Sequence, residues 1–169
     1  TVYHEHYSYL SVSSVIEIFK TNGLTLFDVE ELPTHGGSLR YFAQRSDTGE
    51  KLISDNVRYL QEKEYKAGMN HLNFYQGFQS EAELIKTNFL NFLLDQKLKG
   101  KMVAAYGAAA KGNTMLNFCG VRQDLLKFVV DKNPAKQDKY MPGSRIPISA
   151  EKSIRDFKPD YIVILPWNL

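Results

Sequence analysis

The sequence predicts an α/β protein built on a doubly wound parallel sheet, preceded by helices and by a helix with an antiparallel strand pair. Three observations carry that prediction. Residues 101–165 alternate short apolar strands with helical patterns. A small-residue turn, Gly107-Ala108-Ala109-Ala110-Lys111-Gly112-Asn113, joins the first of those strands to its helix. Residues 24–45 hold two strand-like runs around a turn with two glycines.

Taken in order, residues 11–22 place Val12, Val15, Ile16 and Phe19 at helical spacing, with Ser14 and Glu17 spaced as a capping box and Gly23 at the stop. Residues 24–32 and 38–45 read as strands. In the second, Leu39, Tyr41 and Ala43 alternate against Ser38, Arg40 and Phe42, and Pro33-Thr34-His35-Gly36-Gly37 supplies the turn. Residues 46–51 are polar and read as a linker. The stretch 54–98 is mostly helical, interrupted near Gly68 and Gly77, with Leu84, Ile85, Phe89, Phe92 and Leu93 as its clearest apolar stripe. Residues 101–106 form a strand, and Met115, Leu116 and Cys119 mark the helix after the small-residue turn. A second buried strand covers 126–130 and ends at Asp131; a helix covers 149–157 and a third strand 161–165.

Composition narrows the function classes. The 169 residues carry 21 basic and 19 acidic side chains, a formal net charge of +2. That balance gives no global field to hold a polyanion, so nucleic acid is not an expected partner. The longest apolar runs fall far short of the roughly 20 residues a membrane span needs, so no membrane association is expected. The single cysteine, Cys119, permits no internal disulfide and no thiolate cluster for zinc, which points to a reducing cytoplasm. No metal site is expected in this chain.

Two segments carry candidate chemistry. A lysine is disfavoured by about 0.3 to 1 kcal/mol at a helix N-terminus, where the dipole is positive. Lys111 sits in or beside such a turn, with no acidic side chain from Gly107 to Asn117. An external anion would account for that, since alanines and glycines let a phosphate approach the backbone; a tight turn with a solvated lysine is the other reading. Asp131 follows Gly107 at close to the roughly 20-residue offset at which an acid meets a ribose in dinucleotide folds. However, G-A-A-A-K-G is not G-x-G-x-x-G, so a nicotinamide dinucleotide is not indicated. The second segment is Tyr3-His4-Glu5-His6. A histidine with a reference pKa near 6.5 is a usable base, and a neighbouring carboxylate can orient it. A polar strand edge is the alternative.

T-V-Y-H-E-H-Y-S-Y-L-S, H-G-G-S-L-R, Y-G-A-A-A-K-G-N-T, V-D-K-N-P-A-K-Q and P-D-Y-I-V-I-L-P-W-N-L, in this order, resemble the nucleotide-sugar C-methyltransferases. The resemblance implies a parent with a zinc-binding N-terminal module, a class I S-adenosylmethionine methyltransferase domain and a C-terminal Rossmann-like domain. Residues 1–50 would be the C-terminal remnant of the methyltransferase domain, carrying the catalytic cluster. Residues 51–169 would be the Rossmann-like nucleotide-sugar-binding domain, truncated. Zinc and most of the S-adenosylmethionine site would lie in missing N-terminal domains of the same polypeptide, leaving this stretch inactive alone.

The same resemblance assigns roles. His6 would be the general base that removes a proton beside the keto group of a dTDP-sugar, with Tyr3 and Glu5 positioning the sugar or supporting the enolate. Gly107, Ala108, Ala109, Ala110, Lys111, Gly112 and Asn113 would line the diphosphate, with Asp131, Asn133 and Lys136 nearby and Arg40 reaching toward the cleft. Tyr140 and Arg145, in a loop with Pro142-Gly143, would be further contacts, with a plain surface loop as the favoured reading. The other classes in view are a non-catalytic nucleotide-sugar binding module and an NAD-dependent sugar oxidoreductase domain. Unpaired edges on residues 24–45 would favour self-association or poor order.

Overall fold

The computed structural model describes residues 6–167 and divides them into two packing units, one of residues 6–78 and one of residues 79–167.

The first unit contains α1 (Val12–Thr21), β1 (Leu24–Leu32), β2 (Ser38–Arg45) and α2 (Asp55–Lys66). Helix α1 starts three residues earlier than the Ser14–Glu17 spacing predicts. Ser11 is the cap, and its Oγ accepts the Ser14 N–H at 3.2 Å. Ser54 caps α2 in the same way through the Val57 N–H. Strands β1 and β2 pair antiparallel over the predicted ranges. Their register slips between Leu26 and Asp28, leaving Phe27 as an extra residue. The bulge turns both Leu26 and Val29 inward, although they are three positions apart, and they join Val12, Val57 and Leu60 in one core. On β2, Leu39 and Tyr41 pack against that core. A two-stranded pair is marginal by itself, so the helices that cover it are what hold it.

The second unit begins one residue into α3 (Phe78–Leu98) and continues through β3 (Val103–Tyr106), α4 (Ala110–Cys119), β4 (Val129–Val130), β5 (Lys139–Tyr140), β6 (Pro147–Ser149), α5 (Lys152–Phe157) and β7 (Tyr161–Ile164). The sheet order is β5-β6-β4-β3-β7, parallel except for the β5–β6 pair. Adjacent strand residues face opposite sides. Val103 and Ala105 join Leu93 of α3 with Leu116 and Cys119 of α4 in one core. Ala104 and Val130 pack with Phe128 and against Ile154 of α5 in another. Helices therefore cover both faces, as a doubly wound sheet requires. Leu93 and Leu116 are fully buried, and each contributes about 1.5–3 kcal/mol of transfer free energy. The apolar stripe of α3 is only partly covered, since Leu84 and Ile85 are exposed.

Two strands escape the sequence pattern. β5 and β6 are two and three residues long, too short to show a period. β6 also occupies the start of the predicted 149–157 helix, which begins instead at Lys152. Nor is the segment from Met141 to Ile148 a plain surface loop, because Met141, Ile146 and Ile148 are core residues.

The approach of α4 to β7 fixes one residue sterically. A Cβ on Gly112 would lie 2.6 Å from the Leu165 Cβ. Gly112→Ala is therefore expected to destabilise the chain by about 1–3 kcal/mol in urea unfolding, the usual penalty for overpacking. Gly77→Ala, which meets open space, should stay within about 0.5 kcal/mol of the parent.

Candidate functional site

Each unit carries a cleft. In the first, a cleft of about 870 Å³ is lined by His6, Tyr9, Ser14, Tyr41, Glu64 and Tyr75, among others. His6 is exposed, and its ring meets Tyr9 edge-on at 5.6 Å between centroids. Tyr3 and Glu5, the other members of the predicted cluster, lie outside the described residues.

Glu64 organises the floor of this cleft. From α2, its carboxylate accepts the Val12 N–H at 2.6 Å, the Ser13 N–H at 2.8 Å and the Ser13 hydroxyl at 2.6 Å. With Ser11 Oγ taking the Ser14 N–H and the Ser11 carbonyl taking that of Val15 at 3.0 Å, every N–H in the first turn of α1 has an acceptor. Tyr41 donates to the Leu10 carbonyl at 3.2 Å. Burial, and then the Glu64 charge, push the Tyr41 hydroxyl above its ordinary pKa. Arg40 is placed elsewhere: it forms a cross-strand ion pair with Glu30 at 2.8 Å and does not line the cleft.

The second cleft, about 400 Å³, lies beside the β3–α4 turn. It is lined by Ala108, Ala109, Ala110, Asn113, Lys136, Lys139 and Tyr140, among others. Gly107 turns the chain with φ of +87°, and a Cβ there would approach Pro166 to 2.7 Å. The Asp131 carboxylate holds the turn. Oδ2 accepts the Ala108 N–H at 2.8 Å and the Lys136 ammonium at 3.2 Å, while Oδ1 accepts the Asn133 N–H at 2.8 Å. Lys136 also donates to the Ala108 carbonyl at 2.9 Å.

Beyond Ala108 the turn is open. Ala109, the residue before α4, supplies no side-chain cap, and the N–H groups of Ala110, Lys111 and Gly112 make no hydrogen bond among the described residues. The walls of this cleft include two lysines and no carboxylate. Such an arrangement suits an anion. Lys111 itself is not a wall. It is 8% exposed, and its Nζ is buried without a hydrogen-bond partner among the described residues. Gly112 faces Leu165, and Asn133 uses its Oδ1 on the Ala135 N–H at 3.0 Å.

Thus the structure gathers Ala108, Ala109, Ala110, Asn113 and Lys136 at one cleft, with Asp131 bracing it from beneath. Sequence reasoning missed Lys139, which depends on the short strand β5, and Glu64, which looks like one more solvated charge in Q-E-K-E-Y-K. No local signal marks either. Among the described residues no group of three or more His, Cys, Asp or Glu side chains could hold a metal ion, and no helix is long and apolar enough to cross a membrane.

A sequence model of the family described as the C-methyltransferase C-terminal domain matches residues 33–169. The chain belongs to that family. It is also 33% identical over 168 residues to the C-methyltransferase NovU of Streptomyces niveus, covering 99% of this chain and 40% of that protein. The chain thus spans about 40% of the length of the curated relative it matches. The family match runs from the turn between β1 and β2 through the second unit, and so includes the whole β3–α4 turn.

Asp131 also gives the second cleft a pH signature. Burial raises its pKa, but the Asn133 N–H, the Lys136 ammonium and the Ala108 N–H outweigh that, so the net value lies below the ordinary 3.8. A carboxyl lowered by folding adds stability above its unfolded pKa, and that stability is lost as the pH falls through the folded value. Asp131→Asn is expected to lower stability at pH 7 by about 1–3 kcal/mol. It should also flatten the decline below about pH 5, as read by urea unfolding across pH.

Proposed function

We propose that the protein containing this chain is an S-adenosylmethionine-dependent C-methyltransferase acting on a thymidine diphosphate sugar, and that this chain supplies the base and the diphosphate site. The observation that carries the reading is the uncapped start of α4 in a family whose members are C-methyltransferases. The cleft beside that start is lined by Ala108, Ala109, Ala110, Lys136 and Lys139, and the Ala110 N–H has no acceptor among the described residues, which suits the close approach of a diphosphate.

In this reading His6 takes the proton from the ring carbon beside the keto group. Tyr3 and Glu5 orient the sugar and support the charge that develops on the keto oxygen. The resulting carbon nucleophile accepts the methyl group. S-adenosylmethionine, when bound, supplies that group as an electrophile.

The described residues do not fit that donor. The one strand–turn–helix with small residues has its acid, Asp131, committed to the Ala108 and Asn133 amides, which leaves no free carboxylate for a ribose diol. No residue of this chain is therefore assigned to the donor. The same commitment weighs against a nicotinamide-dependent oxidoreductase.

Two measurements test the reading. In the full-length enzyme, His6→Asn should lower turnover by roughly 10² to 10⁴ while sugar-nucleotide affinity stays within a few-fold. Tyr3→Phe and Glu5→Gln should cost less. Deuterium wash-in at the sugar carbon without the methyl donor isolates the proton step, and an unchanged rate in His6→Asn removes His6 as the base. For the second cleft, Ala110→Pro deletes one open N–H at the first helical position, where proline is tolerated. Ala109, with φ of −94° and ψ of 150°, already has the backbone that precedes proline. The variant should fold normally yet bind thymidine diphosphate at least about tenfold more weakly in calorimetry, since a charge-assisted hydrogen bond is worth about 1.5–3 kcal/mol. Unchanged affinity would remove the diphosphate from this turn.

A further inference from the structure

We propose that Glu64 is a positioning residue for the catalytic segment, setting the location of His6 through the start of α1; the proposal rests on the reading of His6 as the base. Glu64 belongs to α2, yet its carboxylate takes both leading N–H groups of α1 and the Ser13 hydroxyl at 2.6–2.8 Å. Helix α1 has no acidic residue in its own first turn, whereas α2 has Asp55 there. A cap supplied from within a helix fixes only that helix. Supplied from another helix, it fixes where the first one begins.

The chain just before α1 is gripped from a second side, by the hydrogen bond from Tyr41 of β2 to the Leu10 carbonyl. Residues 6–10 belong to no helix or strand, so the anchors at residues 10–13, together with side-chain contacts such as that of His6 with Tyr9, set where they run. His6, Tyr41 and Glu64 line one cleft. From Leu10 to His6 the chain can reach at most about 13 Å. A tilt of about 5° at its root would move His6 by about 1 Å, and a misplacement of about 1 Å can cost on the order of 100-fold in rate. Glu64 does not itself act on the substrate in this account, because α1 occupies its two oxygens.

The test uses the full-length enzyme with a thymidine diphosphate 4-keto sugar and no methyl donor. Deuterium wash-in is measured per binding-competent site, the sites being counted by calorimetric stoichiometry. Glu64→Gln keeps the volume and one acceptor oxygen but turns an amide donor toward α1. It should lower the per-site rate about 10- to 100-fold, with affinity within about threefold of the parent. Glu62→Gln, on the exposed side of α2 where Glu62 pairs with Lys66, should leave both unchanged. A purely structural role would reduce the number of competent sites and leave the per-site rate intact. That result, or a Glu64→Gln protein with no competent sites, would overturn the proposal. His6→Asn runs alongside. If it washes deuterium in at the parent rate, the base assignment falls and this proposal falls with it. If it is slow while Glu64→Gln is not, only the positioning role is lost.

Discussion

Every α-helix begins with N–H groups that its own backbone cannot satisfy, and the way each start is completed governs this molecule. Helix α2 is completed locally, by Ser54 and by Asp55 in its first turn. Helix α1 is completed jointly, by Ser11 from within and Glu64 from α2. Helix α4 is left open at three consecutive N–H groups among the described residues. The difference is not one of helix length, since α1 and α4 both have 10 residues. It lies in what precedes them: serines before α1 and α2, and a run of alanines before α4. Alanine offers no acceptor, but it also leaves room, and the cleft beside α4 is walled by those same alanines.

A turn with so little side-chain bulk needs another source of rigidity, and Asp131 provides it. Its two oxygens accept three hydrogen bonds from Ala108, Asn133 and Lys136, tying the end of β3 to the end of β4. Lys136 closes the arrangement by also donating to the Ala108 carbonyl. The carboxylate is thereby held below the ordinary carboxylate pKa and engaged within the turn. On the proposed reading the ligand class follows from where this charge is spent: the first N–H groups of α4 have no acceptor among the described residues, while the acid is engaged within the turn as a brace.

Legibility tracked the range of the interactions. The strand pair and the helix before it could be read because alternation and helical spacing are local, and β1 and β2 fall on the predicted ranges. The inward-facing set of β1 could not be read, because the bulge at Phe27 breaks the period of two that such reading assumes. Strands β5 and β6 are shorter than any detectable period, and Pro147 makes the second resemble a loop. At the candidate site the small-residue turn was visible as a motif, but the role of Asp131 as its brace was not, since sequence offset says where an acid lies and not what it bonds. Glu64 was invisible for a related reason: its partners Val12 and Ser13 are some 50 positions away, and a glutamate on a polar helix carries no mark of what it reaches.

Lys111 ties the energetics of α4 to the proposed function. Its side chain is buried with the amine unpartnered among the described residues, at the positive end of a helix. Two adverse terms coincide there: roughly 0.3 to 1 kcal/mol from the helix dipole, and the loss of water from a polar group that gains no hydrogen bond in exchange. On the proposed reading a diphosphate seated on the N–H groups of Ala110, Lys111 and Gly112 relieves both terms together. Negative charge at the helix start lowers the energy of an ammonium in the same turn even without a direct hydrogen bond. The residue that is hardest to explain as part of the fold is thus the one that an anionic ligand explains most simply, and binding and stability become linked through the first turn of α4.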